Sequence, residues 1–379
     1  DRNHAGRHAE LGQADADDVM GTMPKRGIMP LRAWLPSSGL VLVLCLPIAS
    51  AGDRDPDGSR LRIEDAGLVV EVSPRLGGRM LHLSLPGAPN LLKVGDAVVA
   101  QPDPRVDAQA GDIGYLGHQV WLGPQSQWWT HQQANPVRSE ARAPWPPDPW
   151  LSYAATAIVV QAADRMALRG PPSPVSGVRM THDYALPAGK PGTLVTTATM
   201  RNIRDTPVSW GLWFNSRLPA DTRVYVPVAG DRDVRLRHDV DAGFDGLSGA
   251  TEGGFFTLDL DTPAADKQGR RGKVFIQPRA GWMAGFRAGQ AFVIRFDLQP
   301  RDHIHAEHGQ VELYLNWLPG DQAGSLLEME VHGAYTTLAP DAEANAKETW
   351  IVRRYDGPDG RNAQLAFLAT MLAAAGIDP

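Results

Sequence analysis

Val311-Glu312-Leu313-Tyr314-Leu315-Asn316-Trp317 alternates apolar and polar residues, and beyond the turn signal Pro319-Gly320-Asp321 the segment Leu327-Glu328-Met329-Glu330-Val331-His332 alternates again. A period of two marks β-strands with one apolar face, because successive side chains point to opposite sides of a sheet. The rule sets Glu312, Tyr314 and Asn316 on one face of the first strand and Glu328, Glu330 and His332 on one face of the second. On a shared sheet face, three carboxylates, a phenol, an amide and an imidazole suit hydroxyl binding, and crowded carboxylates acquire raised pKa values fit for acid/base work.

The same texture extends outward from these two strands. Short alternating runs occur at 67–72, 79–85, 152–160, 177–186, 193–202, 208–215, 224–228, 255–260, 273–277, 290–298 and 349–355, separated by turn signals such as Pro86-Gly87, Pro191-Gly192 and Gly253-Gly254. No crossover helix intervenes. The expected fold is therefore all-β, with antiparallel sheets packed face to face in a single domain over residues 61–356. Residues 357–379 form a tail whose helix, 362–375, has Asn362 as its cap, Leu365, Leu368 and Leu372 along one stripe, and Gly376 past its end.

Residues 1–51 are expected to be an N-terminal extension and cleaved signal peptide, followed by a linker at 52–60. Lys25, Arg26 and Arg32 precede an apolar stretch at 40–46, and Ala49-Ser50-Ala51 supplies small residues where a signal peptidase reads. Translation is expected to start at Met20, Met23 or Met29. The expected location is periplasmic or secreted, with no membrane span after cleavage, since the apolar run is far shorter than the ~20 residues a spanning helix needs. The only cysteine, Cys45, lies in this segment, so the exported chain has no thiol chemistry. A formal net charge of −6 without basic clusters argues against nucleic-acid or anionic-membrane partners.

Five tryptophans, Trp121, Trp128, Trp129, Trp145 and Trp150, stand among His118, Gln119, Gln125, Gln127, His131, Gln132 and Gln133. Indole planes beside amides and imidazoles match a pyranose, which presents apolar C–H faces and hydroxyls together. The alternative is that the tryptophans are core and the polar residues coat a long loop. His303-Ile304-His305 has the spacing of two imidazoles on one strand face, yet exposed histidine pairs are commoner than metal sites, and neither a metal nor a cofactor is expected.

Several segments together resemble a bacterial family, a domain of unknown function placed among the galactose mutarotase-like proteins. They are Gly77 to Met80 with Gly87 and Asn90-Leu91-Leu92, GHQVW at 117–121 with GPQ and WPPDP, Asn202 with Trp213, and EVHGAYTTLAPD at 330–341 with Glu348-Thr349-Trp350. The resemblance spans most of 61–355 and implies a β-supersandwich with a saccharide-binding concave face. Aldose mutarotases of that superfamily use a histidine acid and a glutamate base, the histidine in a pattern similar to His-x-Tyr-Phe-Asn. The similar segment here, Trp210-Gly211-Leu212-Trp213-Phe214-Asn215, lacks the histidine.

The resulting expectation is a carbohydrate-binding protein with Arg79, His118, Gln119, Trp121, Gln125, Trp128, Glu312, Tyr314 and Asn316 in or near the cleft. The alternative is a sugar-active enzyme, an epimerase or else a lyase or hydrolase, with Glu330 or Glu328 as base and His182 or His118 as acid. In that reading His182 replaces the missing histidine from a neighbouring strand.

Overall fold

The structure, a computed structural model, describes residues 60–238 and 243–378, so the expected signal segment lies outside the described residues. Two β-sheets form the body. The first has eleven strands, nine of them in the spatial order Leu61–Glu64, Val69–Ser73, Arg79–Ser84, His118–Gly123, Val208–Leu218, Leu326–His332, Val311–Trp317, Gly269–Ile276 and Val234–His238. The second has ten and runs from Ser248–Glu252 through Phe255–Asp259, Arg223–Pro227, Trp282–Arg287, Gln290–Phe296, Glu343–Arg354, Thr193–Asn202, Val178–Ala185 and Arg165–Pro172 to Ala157–Gln161. Pairing is antiparallel apart from the short Phe244–Asp245 strand, which runs parallel to Gly269–Ile276.

The apolar faces of the two sheets meet in one core. Leu212, Phe214, Leu313, Leu315, Met329 and Val331 from the first sheet share it with Val178, Met180, Leu194, Ile294, Trp350 and Val352 from the second. The alternation read from the sequence holds here: Val311, Leu313 and Leu315 face inward, while Glu312 and Tyr314 face away from the second sheet. Burying a side chain of this size contributes about 1.5–3 kcal/mol, which makes a one-residue slip of register prohibitive.

The outer face of the second sheet is covered by the helix Arg361–Ala375, whose Leu368, Met371 and Leu372 pack on Tyr225, Trp282, Phe286 and Ile351. The helix starts one residue earlier than expected. Gly360 holds the cap position without a side-chain bond, and Gly376 ends the helix at a left-handed φ of 64°.

The tryptophan-rich segment differs from the expected loop. His118–Gly123 is a strand with all six residues buried, so burial on both faces leaves no alternation to read. Residues 152–160 are only partly strand. Asp148 caps a helical turn at Pro149–Ser152 by accepting from the Trp150 N–H at 3.0 Å, and proline at the first helical position supports the turn. The strand itself is Ala157–Gln161.

Candidate functional site

Antiparallel registers carry the outward-facing residues of the first sheet into rows. One row runs Gln119, Asn215, Glu330, Glu312, Phe275, Arg235 across six strands. The adjacent row runs Arg217, Glu328, Tyr314, Lys273, Arg237. On the other side Trp121 lies opposite Trp213, and Trp213 opposite His332.

Lys273 is the hub of this face. Its Nζ lies 2.6 Å from Glu312 Oε2 and 2.8 Å from Glu330 Oε2, and 4.7 Å above the Trp213 ring. Trp213 Nε1 donates to Glu330 Oε2 at 2.9 Å. Arg217 Nε donates to Glu328 Oε1 at 2.8 Å, and its guanidinium stacks 4.4 Å from Trp121. On the far side Glu312 Oε1 accepts from the Gly309 N–H at 3.0 Å and lies 2.9 Å from His308 Nδ1 and 3.5 Å from His332 Nε2.

Burial and neighbouring charge divide the three carboxyls. Burial works to raise all of them, but Lys273, with His332, holds Glu312 well below the usual carboxylate range, and Arg217 holds Glu328 down. Glu330 goes the other way: burial, with the charges of Glu312 and Glu328, overcomes Lys273 and lifts it well above that range. Lys273 is raised, since its two carboxylates outweigh its burial. With Glu330 protonated, Lys273 and Arg217 balance Glu312 and Glu328 and the buried cluster is neutral, which limits its desolvation cost. His332 is pushed down to about 3 by burial and by His308, so it is a neutral imidazole.

The cluster floors a cleft of about 350 Å3 lined by Gln125, Arg235, Arg237, Lys273, Phe275, Arg301, Glu307, His308 and Glu312. That volume is at the low end for small-molecule sites and fits one or two sugar rings. Beside it, a second hollow runs past Arg301 and Ala306 to His305 and Tyr335. Gln119 Oε1, Trp121 Nε1, Asn215 Oδ1, Arg217 Nη1 and His308 Nε2 on this face are buried without a hydrogen-bond partner among the described residues. Such atoms are spare hydrogen-bonding capacity.

Three of the residues expected at the cleft lie elsewhere. His118 points into the core between the sheets, where its Nδ1 lies 2.9 Å from Ser216 Oγ and 4.0 Å from Glu348 Oε2. His182 also faces the core, and its strand belongs to the second sheet, so it does not neighbour Trp210–Asn215 as expected. Burial pushes His118 to about 3 and His182 to about 4, which leaves neither an acid at neutral pH nor a partner for Glu330. Arg79 is tied to the Leu116 and Ser152 carbonyls at 2.6 and 2.8 Å and braces loops.

Of the tryptophans, Trp121 and Trp128 are 6% and 4% exposed, and Trp128 donates to the Leu122 carbonyl. They are core. Trp145, 40% exposed, packs edge-on against Trp121 at 6.1 Å, and Gln125 at the cleft donates to the Pro144 carbonyl next to it. Glu312, Glu328, Glu330, Gln119 and Gln125 share the outward side as expected, together with Tyr314 and Asn316, whose Oδ1 accepts from Arg271. Lys273 and Arg217 were not singled out in the sequence, and Trp213 and His308 stood there only in a resembling segment and beside the His303-Ile304-His305 spacing. Each becomes a site residue only through partners on other strands.

His303 and His305 do not form the expected type of pair, because His303 ends a 3-10 turn and His305 packs against Tyr335 at 4.8 Å. His308, Glu312 and His332 do bring ligand atoms within 4.8 Å of one another. A divalent cation there would face the Lys273 ammonium, already 2.6 Å from Glu312, so the donor set fits a metal poorly.

Over residues 59–353 the chain matches the family described as a domain of unknown function, DUF4380. The chain belongs to that family. No curated protein matches it. Among solved structures, a galactose mutarotase-like protein from Lactobacillus casei aligns with 78% of this chain and 100% of its own, at 12% identity and a TM-score of 0.50. The aldose epimerase homologue of C. elegans aligns with 78% and 99%, at 12% identity and 0.47. A galactose mutarotase related enzyme from Lactobacillus acidophilus aligns with 79% and 100%, at 9% and 0.47. The DUF4380 chain therefore has a galactose mutarotase-like β-sandwich fold.

Proposed function

We propose that this member of the DUF4380 family is an exported carbohydrate-binding protein whose saccharide sits in the cleft over Lys273, Glu312 and His308. The cleft carries the reading: it opens on the outward face of the larger sheet of a galactose mutarotase-like fold, with cations, carboxylates and an imidazole around the Phe275 ring. A pyranose needs that mixture of hydroxyl-binding groups and flat apolar surface. Trp145, at the Gln125 edge, is the exposed indole best placed to report occupancy.

The test is titration of mono- and oligosaccharides followed by tryptophan emission and calorimetry. A binding sugar should quench or shift emission, with the response reduced in Trp145→Phe and affinity lost in Lys273→Met. A broad panel without heat or emission change rejects the saccharide reading. Export is tested separately by intact mass of protein from an envelope fraction, where a chain beginning near Gly52 is expected.

One observation favours a second reading, catalysis on the sugar ring. Glu330 is a buried carboxyl raised well above the usual range by burial, with the charges of Glu312 and Glu328 adding to it, and it lies beside the Lys273 ammonium, an arrangement suited to proton transfer. The imidazole that lines the cleft is His308, whose Nδ1 lies 2.9 Å from Glu312, whereas His118 and His182 lie in the core. Anomeric exchange followed by NMR decides: Glu330→Gln should lower turnover by about 100-fold while leaving affinity nearly intact.

A further inference from the structure

Charge along the cleft is lopsided. Arg235, Arg237, Arg301 and Lys273 line it, against only Glu307 and Glu312. Glu312 is already matched by Lys273, and Glu307 lies at the rim, accepting from Ser126 Oγ at 2.6 Å. The chain as a whole is acidic, with a formal net charge of −6, so a cationic cleft does not simply follow its composition.

Arg235 and Arg237 occupy alternate positions of the strand Val234–His238, which puts both on the outward face, and their guanidinium carbons lie 4.0 and 5.3 Å from the Phe275 ring centre. Among the described residues neither has a carboxylate partner. Edge strands do carry cations that discourage pairing with other chains, and this strand is an edge. Cations serving that end alone would point along the edge. These two lean over Phe275 toward Lys273, where the ring holds the guanidinium planes in place and leaves their N–H groups free to donate in parallel.

We infer that the cleft recognises an acidic saccharide, one whose ring carries a carboxylate, sulfate or phosphate group, with that group held by Arg235 and Arg237 and assisted by Arg301. The inference rests on the saccharide reading of the same cleft and adds the ligand's charge. The floor contacts hydroxyls through Lys273, Glu312 and His308, and the arginine wall takes the anion. Neutral sugars lacking that group satisfy the floor alone.

Calorimetry at low salt on the full chain, with matched charged and neutral probes, tests this. The pairs are oligogalacturonide and its methyl ester, a sulfated oligosaccharide and its desulfated form, and glucose 6-phosphate and glucose, with inorganic sulfate alongside. At least one charged member should bind about tenfold or more tighter than its neutral partner, and the pair that discriminates identifies the anion. Arg235→Gln/Arg237→Gln, at exposed positions, should keep the melting temperature and erase the preference by lowering the charged member's affinity about tenfold or more. Equal binding of charged and neutral members, or a preference that survives the double substitution, overturns the acidic-ligand inference and leaves the saccharide reading standing. Sulfate binding abolished by the double substitution, with no sugar bound, keeps the anion site and rejects the saccharide reading. No binding by any probe removes both.

Discussion

Two buried polar clusters occupy opposite faces of the same large sheet, and they handle charge in opposite ways. On the outward face Lys273 and Arg217 are paired with Glu312 and Glu328 at 2.6–2.8 Å, and the groups stay ionised because opposite charges compensate burial. On the inward face His118, Ser216 and Glu348 meet in the core with no cation in hydrogen-bonding contact. There burial wins: His118 falls to about 3 and Glu348 rises to about 8, despite the bond it accepts from Trp350 Nε1 at 3.0 Å. Proximity of a histidine to a glutamate is therefore not enough to make an acid/base site. What separates the clusters is a supply of compensating charge and an opening to a cleft.

The largest effect is expected from removing the compensation. Lys273→Met leaves Glu312 buried without its counter-ion and should cost about 3–5 kcal/mol in chemical denaturation near neutral pH. The loss should shrink as pH falls, because Glu312, no longer held down, then folds with a raised pKa, and a group raised on folding contributes stability at low pH that is lost as pH rises. An unchanged unfolding midpoint would mean the ammonium is not what keeps this cluster ionised.

The interior cluster should reveal itself in the shape of the stability profile. Glu348, raised from 4.5 to about 8, contributes stability that is present at low pH and lost as pH climbs through about 8. His118 and His182, lowered from 6.5 to about 3 and 4, contribute stability that is present above 6.5 and lost as pH falls. Together they favour an optimum near pH 6.5, with Glu348 contributing at most about 1.4 kcal/mol per pH unit to the alkaline limb. Glu348→Gln should make that limb shallower by its own contribution. A wild-type profile with no slope between pH 6.5 and 8 would contradict the protonated Glu348.

The smallest effect is expected at Glu330. Glutamine copies its neutral form, so Glu330→Gln should change stability by less than about 1 kcal/mol at pH 7, in contrast to Lys273→Met one contact away. A loss as large as that of Lys273→Met would show that Glu330 is ionised and that the charge balance drawn around Lys273 is wrong.

Period-two alternation made the strands at 311–317 and 326–332 legible, and with them the shared face of Glu312, Glu328 and Glu330. The leucine stripe Leu365, Leu368 and Leu372 with Gly376 past its end located the helix that closes the back of the second sheet. Alternation failed at His118–Gly123, where a loop bearing Trp128 and Trp145 covers the outer face and every position is buried. It could not select Lys273 either, because a lysine on an alternating strand reads as solvent-facing until its two carboxylate neighbours are known. Arg217 was hidden the same way. The tryptophan density pointed to a sugar surface, but Trp121, Trp128 and Trp129 are buried and mainly packing. His182 was a candidate acid only while its sheet was unknown.

The rows across the larger sheet have a consequence for how the molecule is made. The outward polar cluster takes Arg217 from the strand at 208–218, Lys273 from 269–276, Glu312 from 311–317 and Glu328 with Glu330 from 326–332. No two of the ionised partners, Arg217, Lys273, Glu312 and Glu328, are close in sequence. During synthesis Arg217 and Lys273 emerge before any of the carboxylates that match them, so a nascent chain halted short of residue 312 holds two cations awaiting their partners. Ligand capture should thus be an all-or-none property of the finished fold, beyond the reach of fragments, and forming it requires contacts that are distant in sequence and slow to find.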